Sequence, residues 1–148
     1  MRYVCLSIAS LFVLVACLTS PALAVLQFCK VFKTEYLDNH PNLEFAAELN
    51  KPANRCFVCH QGKNRKHHNA YGIHLVELLD RKTDTKDVAK ITAALKTVAA
   101  MPVDPSKPDG ETFGDLIAAG KWPGGDFESL KQEPPEAEAG AAAEPPTP

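Results

Sequence analysis

Apolar residues along this chain recur at helical spacing, and no stretch alternates convincingly with a period of two. From Val25 to Leu37, the positions Leu26, Phe28, Cys29, Phe32, Tyr36 and Leu37 keep a helical rhythm with no turn residue between them. Pro41 interrupts, and Asn42–Leu49 makes a second short segment. A polar loop, Gln61–His68, precedes a helix over 69–82, in which Tyr71, Leu75, Leu78 and Leu79 fall at i, i+4, i+7 and i+8. Asp84 or Thr85 can cap the next helix, 85–100, with Val88, Ile91, Leu95 and Val98 as its buried stripe. Pro102, Pro105 and Pro108 with Asp109-Gly110 force a long loop. Thr112-Phe113-Gly114-Asp115 then has the form of a capping box for a last short helix ending at Gly120. The pattern predicts an all-α domain without internal repeats.

The two ends depart from that pattern. Met1-Arg2-Tyr3 gives a short cationic start, Val4–Leu18 is almost unbroken apolar sequence, and Ala22-Leu23-Ala24 offers the small-x-small motif of signal peptidase. A run of about 15 residues is shorter than the ~20 of a membrane span. Residues 1–24 therefore read as a signal peptide, and export to the periplasm or the exterior follows. Leu14-Val15-Ala16-Cys17 also has the form of a bacterial lipobox, whose processing would leave a protein lipid-anchored at Cys17. At the other end, residues 126–148 carry six acids and one lysine amid Pro and Ala, the composition of a disordered acidic tail. One domain, 25–125, remains between them. Cleavage removes only Arg2 among charged residues, leaving 15 basic against 18 acidic side chains, a net −3. So few basic residues on an exported chain argue against a nucleic-acid partner.

The chemistry concentrates in Cys56-Phe57-Val58-Cys59-His60, a C-x-x-C-H sequence and the attachment signature of a c-type haem. Two thiols three positions apart lie on neighbouring faces of one helical turn and can form thioethers to the two vinyl groups of a porphyrin. The adjacent His60 can then take the iron as proximal ligand. A thioredoxin-like pair would require a βαβ pattern, which is missing. A zinc site would draw on His67, His68 or His74, since there is no second C-x-x-C.

The order of elements resembles the small bacterial monohaem cytochromes of the class I type, over roughly Val25–Trp122. The resemblance implies one covalent haem c, with thioethers at Cys56 and Cys59 and iron ligation by His60. It also implies a methionine loop over the distal side and a last helix packed on the first, although Thr112–Gly120 is shorter than that family's terminal helix. The function implied is single-electron transfer between periplasmic redox proteins, not enzymatic catalysis. The alternatives are a haem enzyme or ligand sensor with an open distal site, or a zinc-bound structural or interaction module.

The sixth iron position decides among the haem readings. Met101, followed by Pro102, matches the Met-Pro of the family's methionine loops. His74 is the rival, and a water or the loop histidines His67 and His68 complete the choices. Lys63-Asn64-Arg65-Lys66-His67-His68 can serve as a docking collar for an acidic redox partner, or as a solvated loop offsetting haem propionates. Cys29 is left over from the motif and fits a small buried hydrophobe, a free thiol or an intermolecular disulfide.

Overall fold

The structure, a computed structural model, describes residues 22–63 and 65–135, with side chains from Gln27 onward. Its elements run α1 (Ala22–Phe32), a π-helical turn (Lys33–Leu37), α2 (Leu43–Asn50), a 3-10 turn (Arg55–Val58), α3 (Ala70–Leu78), α4 (Val88–Ala99), α5 (Phe113–Ala118) and α6 (Phe127–Leu130). Strand-like pairing among the described residues is limited to two isolated bridges, His60 with His68 and Pro102 with Thr112. The all-α class read from periodicity is borne out. No helix among the described residues is long and apolar enough to cross a membrane. The apolar N-terminal run and the lipobox-like Leu14–Cys17 lie outside the described residues, while Ala22-Leu23-Ala24 opens α1.

α4 is the helix on which α1, α3 and α5 pack. Ile91, Ala94, Leu95 and Val98 form its buried face at i, i+3, i+4 and i+7. Val88, expected to begin that stripe, is 48% exposed. The reason is the cap. Asp87, not Asp84 or Thr85, accepts from the Lys90 N–H, so Val88 is the first helical residue and the packed face starts a turn later. Asp84 works one turn earlier: its carboxylate accepts from the Asp80 N–H at 2.9 Å and from Lys90 Nζ at 2.6 Å. That turn ends α3 at Leu78 instead of 82, leaving Leu78 exposed, whereas Leu79 leaves helical geometry and packs against the core.

The single helix expected over 25–37 is in fact two. After Phe32 the backbone widens into a π turn, closed by the Asp38 N–H donating to the Lys33 carbonyl at 3.0 Å. Tyr36, 5.0 Å from the Phe32 ring, donates its hydroxyl to the Leu95 carbonyl at 3.1 Å, and Glu35 pairs with Lys96 at 2.8 Å. Both contacts fasten this turn to α4. His40 is buried between α2 and α5: it accepts from the Asn42 N–H through Nδ1 and donates from Nε2 to the Ile117 carbonyl at 2.8 Å. The Thr112 capping box forms as read, with Asp115 reciprocating, and buries Phe113 and Ile117. With only six residues, α5 packs on α4, and α4 is also the helix that α1 packs on.

The expected tail boundary at 126 falls within folded structure. Asp126 caps α6 by accepting from the Ser129 N–H, and Leu130 is 3% exposed in the core. A four-residue helix amid tail-like composition leaves no periodic signal. Residues 136–148 lie outside the described residues.

Lys90 Nζ, then the Asp80 N–H, hold the Asp84 carboxyl below the usual carboxylate range. A carboxylate depressed by folding stabilises the fold above its unfolded pKa, and that contribution is lost as pH falls through the folded value. Asp84→Asn should therefore lower the thermal midpoint at neutral pH, and the difference from wild type should shrink as pH falls through the depressed folded pKa. Thermal melts by circular dichroism across that range check this; a constant difference at all pH values would contradict it.

Candidate haem-attachment site

The C-x-x-C-H residues stand on the 3-10 turn and its exit. Phe57 N–H donates to the Asn54 carbonyl at 2.8 Å, and the N–H groups of Cys59 and His60 converge on the Cys56 carbonyl at 3.3 and 3.0 Å. Cys56 lies in the turn and Cys59 caps it, the Cys59 N–H closing back on the Cys56 carbonyl, which holds the two residues one turn apart. Both are free and partly buried, and Cys59 packs against the hydrophobic core. Burial pushes the Cys59 thiol far above the ordinary thiol range, with the neighbouring Cys29 and Cys56 sulfurs adding to the shift. Burial raises Cys29 as well, and Cys56 reinforces it. The leftover Cys29 of α1 thus belongs to the neighbourhood of the motif, a placement that no spacing rule encodes.

His60 sits in a backbone bridge with His68, and its Nδ1 lies 3.3 Å from the His67 carbonyl. With Nδ1–H donating there, the lone pair resides on Nε2, the arrangement that orients a metal-binding imidazole. Burial, followed by the adjacent His68, pulls the His60 pKa down to about 4, so the ring is neutral at physiological pH. His68 lies against it with ring centroids 4.7 Å apart, and burial lowers its pKa too. His68 is therefore half-buried against the motif and not solvated in a polar loop, as its charged neighbours suggest.

Asn69 fixes this unit. Its Oδ1 accepts from the N–H groups of Tyr71 and Gly72 at 3.1 and 2.9 Å, capping α3. Its Nδ2 lies 2.8, 3.1 and 3.4 Å from the carbonyl oxygens of Phe57, Val58 and His60. Asn69 is 3% exposed. α3 also approaches the motif so closely that a Cβ on Gly72 would stand 1.9 Å from the Cys59 carbonyl oxygen, which only glycine permits. One residue earlier, Tyr71 is fully buried, and its hydroxyl has no hydrogen-bond partner among the described residues. Burial raises its pKa, and the nearby Cys59 adds to the effect.

The donor set fits a covalently attached haem: two unpaired sulfurs off one short turn, an oriented neutral imidazole, and an orphaned hydroxyl beside them. An unpartnered buried hydroxyl costs about 1–3 kcal/mol, which an acceptor on a bound group would relieve. Among the described residues no three His, Cys, Asp or Glu side chains are gathered to hold a metal ion, so a zinc centre here would require the side chains to regroup.

Both distal candidates neighbour Phe113, Met101 through the backbone and His74 through the ring. The Met101 carbonyl accepts from the Phe113 N–H at 3.1 Å, and Met101 packs against the core. His74 lies 5.8 Å from the Phe113 ring, but its Nδ1 faces the exposed Glu77 at 3.9 Å. Phe113 in turn packs edge-on against Tyr71 at 5.5 Å. His67 directs Nε2 toward Glu133. Asn69 escapes sequence reasoning, and so do the packing of His68 on His60 and the orphaned hydroxyl of Tyr71, because these depend on contacts with backbone and rings. The Asn-x-Tyr-Gly run directly after the loop was the available signal.

Compared with protein-family models, with curated proteins and with solved structures, the chain matches none.

Replacing Asn69 by Ala removes a helix cap and the donor to buried carbonyls, an expected loss of about 2–4 kcal/mol. Asn69→Asp keeps the cap acceptor but turns a second oxygen toward those carbonyls, so it should rescue only part of that loss. Urea titrations of the three proteins measure this; full recovery by Asp would show that the cap alone matters.

Proposed function

We propose that the chain is an exported monohaem c-type cytochrome carrying single electrons between redox partners. The observation that supports it most is the joint geometry of Cys56, Cys59 and His60: two thiols off one 3-10 turn, with the adjacent imidazole oriented through the His67 carbonyl. Cys56 and Cys59 would hold the porphyrin as thioethers, and His60 would bind the iron. When bound, the haem supplies a one-electron ferric/ferrous couple.

The chain's own contribution is position and dielectric. Asn69 and Gly72 lock the backbone of the motif against α3, and the His67 carbonyl orients the imidazole. Val58, Tyr71, Leu75 and Phe113 belong to the apolar cluster against which Cys59 packs, and that cluster disfavours charge beside it. Met101 is the better-supported distal ligand: it packs inward, whereas His74 turns its Nδ1 toward Glu77. In this reading α3, α4 and α5 are the helices that wrap the haem, and the protein acts in the periplasm or outside the cell, lipid-anchored if Cys17 is the processed residue. Its partners are periplasmic redox proteins.

Expression with a c-type maturation system tests the reading. The purified protein should be coloured, with a sharp α band on reduction, and Cys56→Ala or Cys59→Ala should sharply lower the yield of coloured protein. A colourless wild type rejects the haem. The distal assignment is tested separately. Met101→Ala should lower the reduction potential and admit cyanide faster, while His74→Ala should leave both unchanged. The reverse pattern identifies a bis-histidine carrier of lower potential. A high-spin wild type insensitive to either change identifies an open site suited to ligand sensing or peroxide chemistry.

A further inference from the structure

The loop after His60 receives a carboxylate, and the chain's own C-terminal segment provides it. Gly62 has φ +72°, a left-handed conformation that favours glycine, and a Cβ built there would lie 2.3 Å from Glu133 Oε2. The Lys63 N–H donates to Glu133 Oε1 at 2.8 Å, and His67 Nε2 lies 3.9 Å from Oε2. Gly62 N–H donates to the Leu130 carbonyl at 2.8 Å, so two successive amides of the loop face this segment.

Glu133 is delivered there by packing and not by charge alone. Leu130 is buried, and Phe127 stacks on Trp122 with centroids 4.3 Å apart and planes 9° from parallel. Phe127 also meets Phe57, inside the C-x-x-C-H run, edge-on at 6.0 Å, and Lys131 lies over the Phe127 ring at 4.2 Å. The receiving loop is cationic: Lys63, Arg65 and Lys66 are exposed around it. From Glu133 to the end, the chain carries Glu133, Glu136, Glu138 and Glu144 and no basic residue.

We propose that Gly62 and Lys63, with the side chains of Lys63, Arg65, Lys66 and His67, form a docking surface for an acidic partner protein, and that Glu133 is its intramolecular competitor. That the partner is a redox protein rests on the haem reading; the competition itself does not. The Glu133 carboxylate is half exposed, so its ion pairing is weak and screened by salt. Tethering holds it in place through a high effective concentration. A partner presenting several carboxylates can displace it, and docking then requires release of Glu133.

The test uses the full-length chain and a fluorescein-labelled oligoglutamate peptide as probe, with binding read by anisotropy at low ionic strength. Glu133→Gln should bind the peptide about two- to fivefold more tightly than wild type, the size expected of one exposed pair. Asp109→Asn, the same change of net charge in the proline-rich loop, serves as control and should bind as wild type does. In nitrogen-15 spectra, the Lys63 amide proton should move upfield in Glu133→Gln, because it loses a charged acceptor. Equal effects of the two substitutions, an unchanged Lys63 amide, or unaltered peptide affinity in Glu133→Gln would each overturn the proposal. Neither readout needs colour, so failure of the haem reading leaves this test intact.

Discussion

The carboxamide of Asn69 is the interaction on which the site depends, because it uses both ends at once. Its oxygen starts α3 by taking two orphan N–H groups, and its nitrogen lies within reach of three carbonyls of the C-x-x-C-H backbone. A 3-10 turn is poorly hydrogen-bonded and short-lived in isolation, so its carbonyls need an outside donor. Aspartate has no such donor, and serine is too short to serve both sides. Gly72 then lets the two backbones meet without a side chain between them. Removal of either residue would separate the sulfurs and the imidazole from the helix that holds Tyr71 and Leu75 in the core.

The electrostatics of the site favour neutral groups. Burial raises the thiols of Cys29 and Cys59 and lowers the imidazole of His60, and both effects disfavour the charged form. A nucleophilic or redox-exchanging cysteine needs the opposite: a depressed pKa in a cationic, partly exposed setting. A thioether sulfur is uncharged, so an apolar wall tolerates it without the desolvation penalty that a thiolate would suffer. The environment therefore disfavours a thiolate at Cys59, and the proposed thioether attachment needs none.

Periodicity made the helices and the face of α4 legible, and Thr112-Phe113-Gly114-Asp115 announced α5 because a capping box is local chemistry. The C-x-x-C-H run was equally legible, since its residues are neighbours in the sequence. The ends of α3 and α4 were not. Asp84 and Asp87 are both competent caps, and tertiary packing assigned one to a turn and the other to the helix. The π turn at Lys33–Leu37 hides within a rhythm of apolar residues that one extra residue per turn hardly disturbs. α6 was lost because four residues are fewer than any periodic window, and its anchor is one buried leucine with an aromatic stack. Cys29, His68 and Asn69 act across the fold, and a one-dimensional pattern carries no record of such contacts.

The choice of a 3-10 turn over an α-helical one has a geometric consequence for the motif. Three residues of α-helix rotate by about 300°, which leaves the two cysteines some 60° apart around the axis. Three residues of 3-10 helix complete a turn, so the side chains eclipse. Cys56 stands in the turn and Cys59 caps it, so the tighter spacing draws the two positions together, and the chain then leaves through His60 toward the bridge with His68. The two thiols and the imidazole can thus approach one flat group from a single stretch of five residues. Such a turn cannot be extended, because its hydrogen bonds are strained. This explains why the structure flanks it with Asn54, which reaches back to the Glu48 carbonyl, and with Asn69, which closes the far end. The motif is short because its geometry is, and the two asparagines are what make so short an element persist.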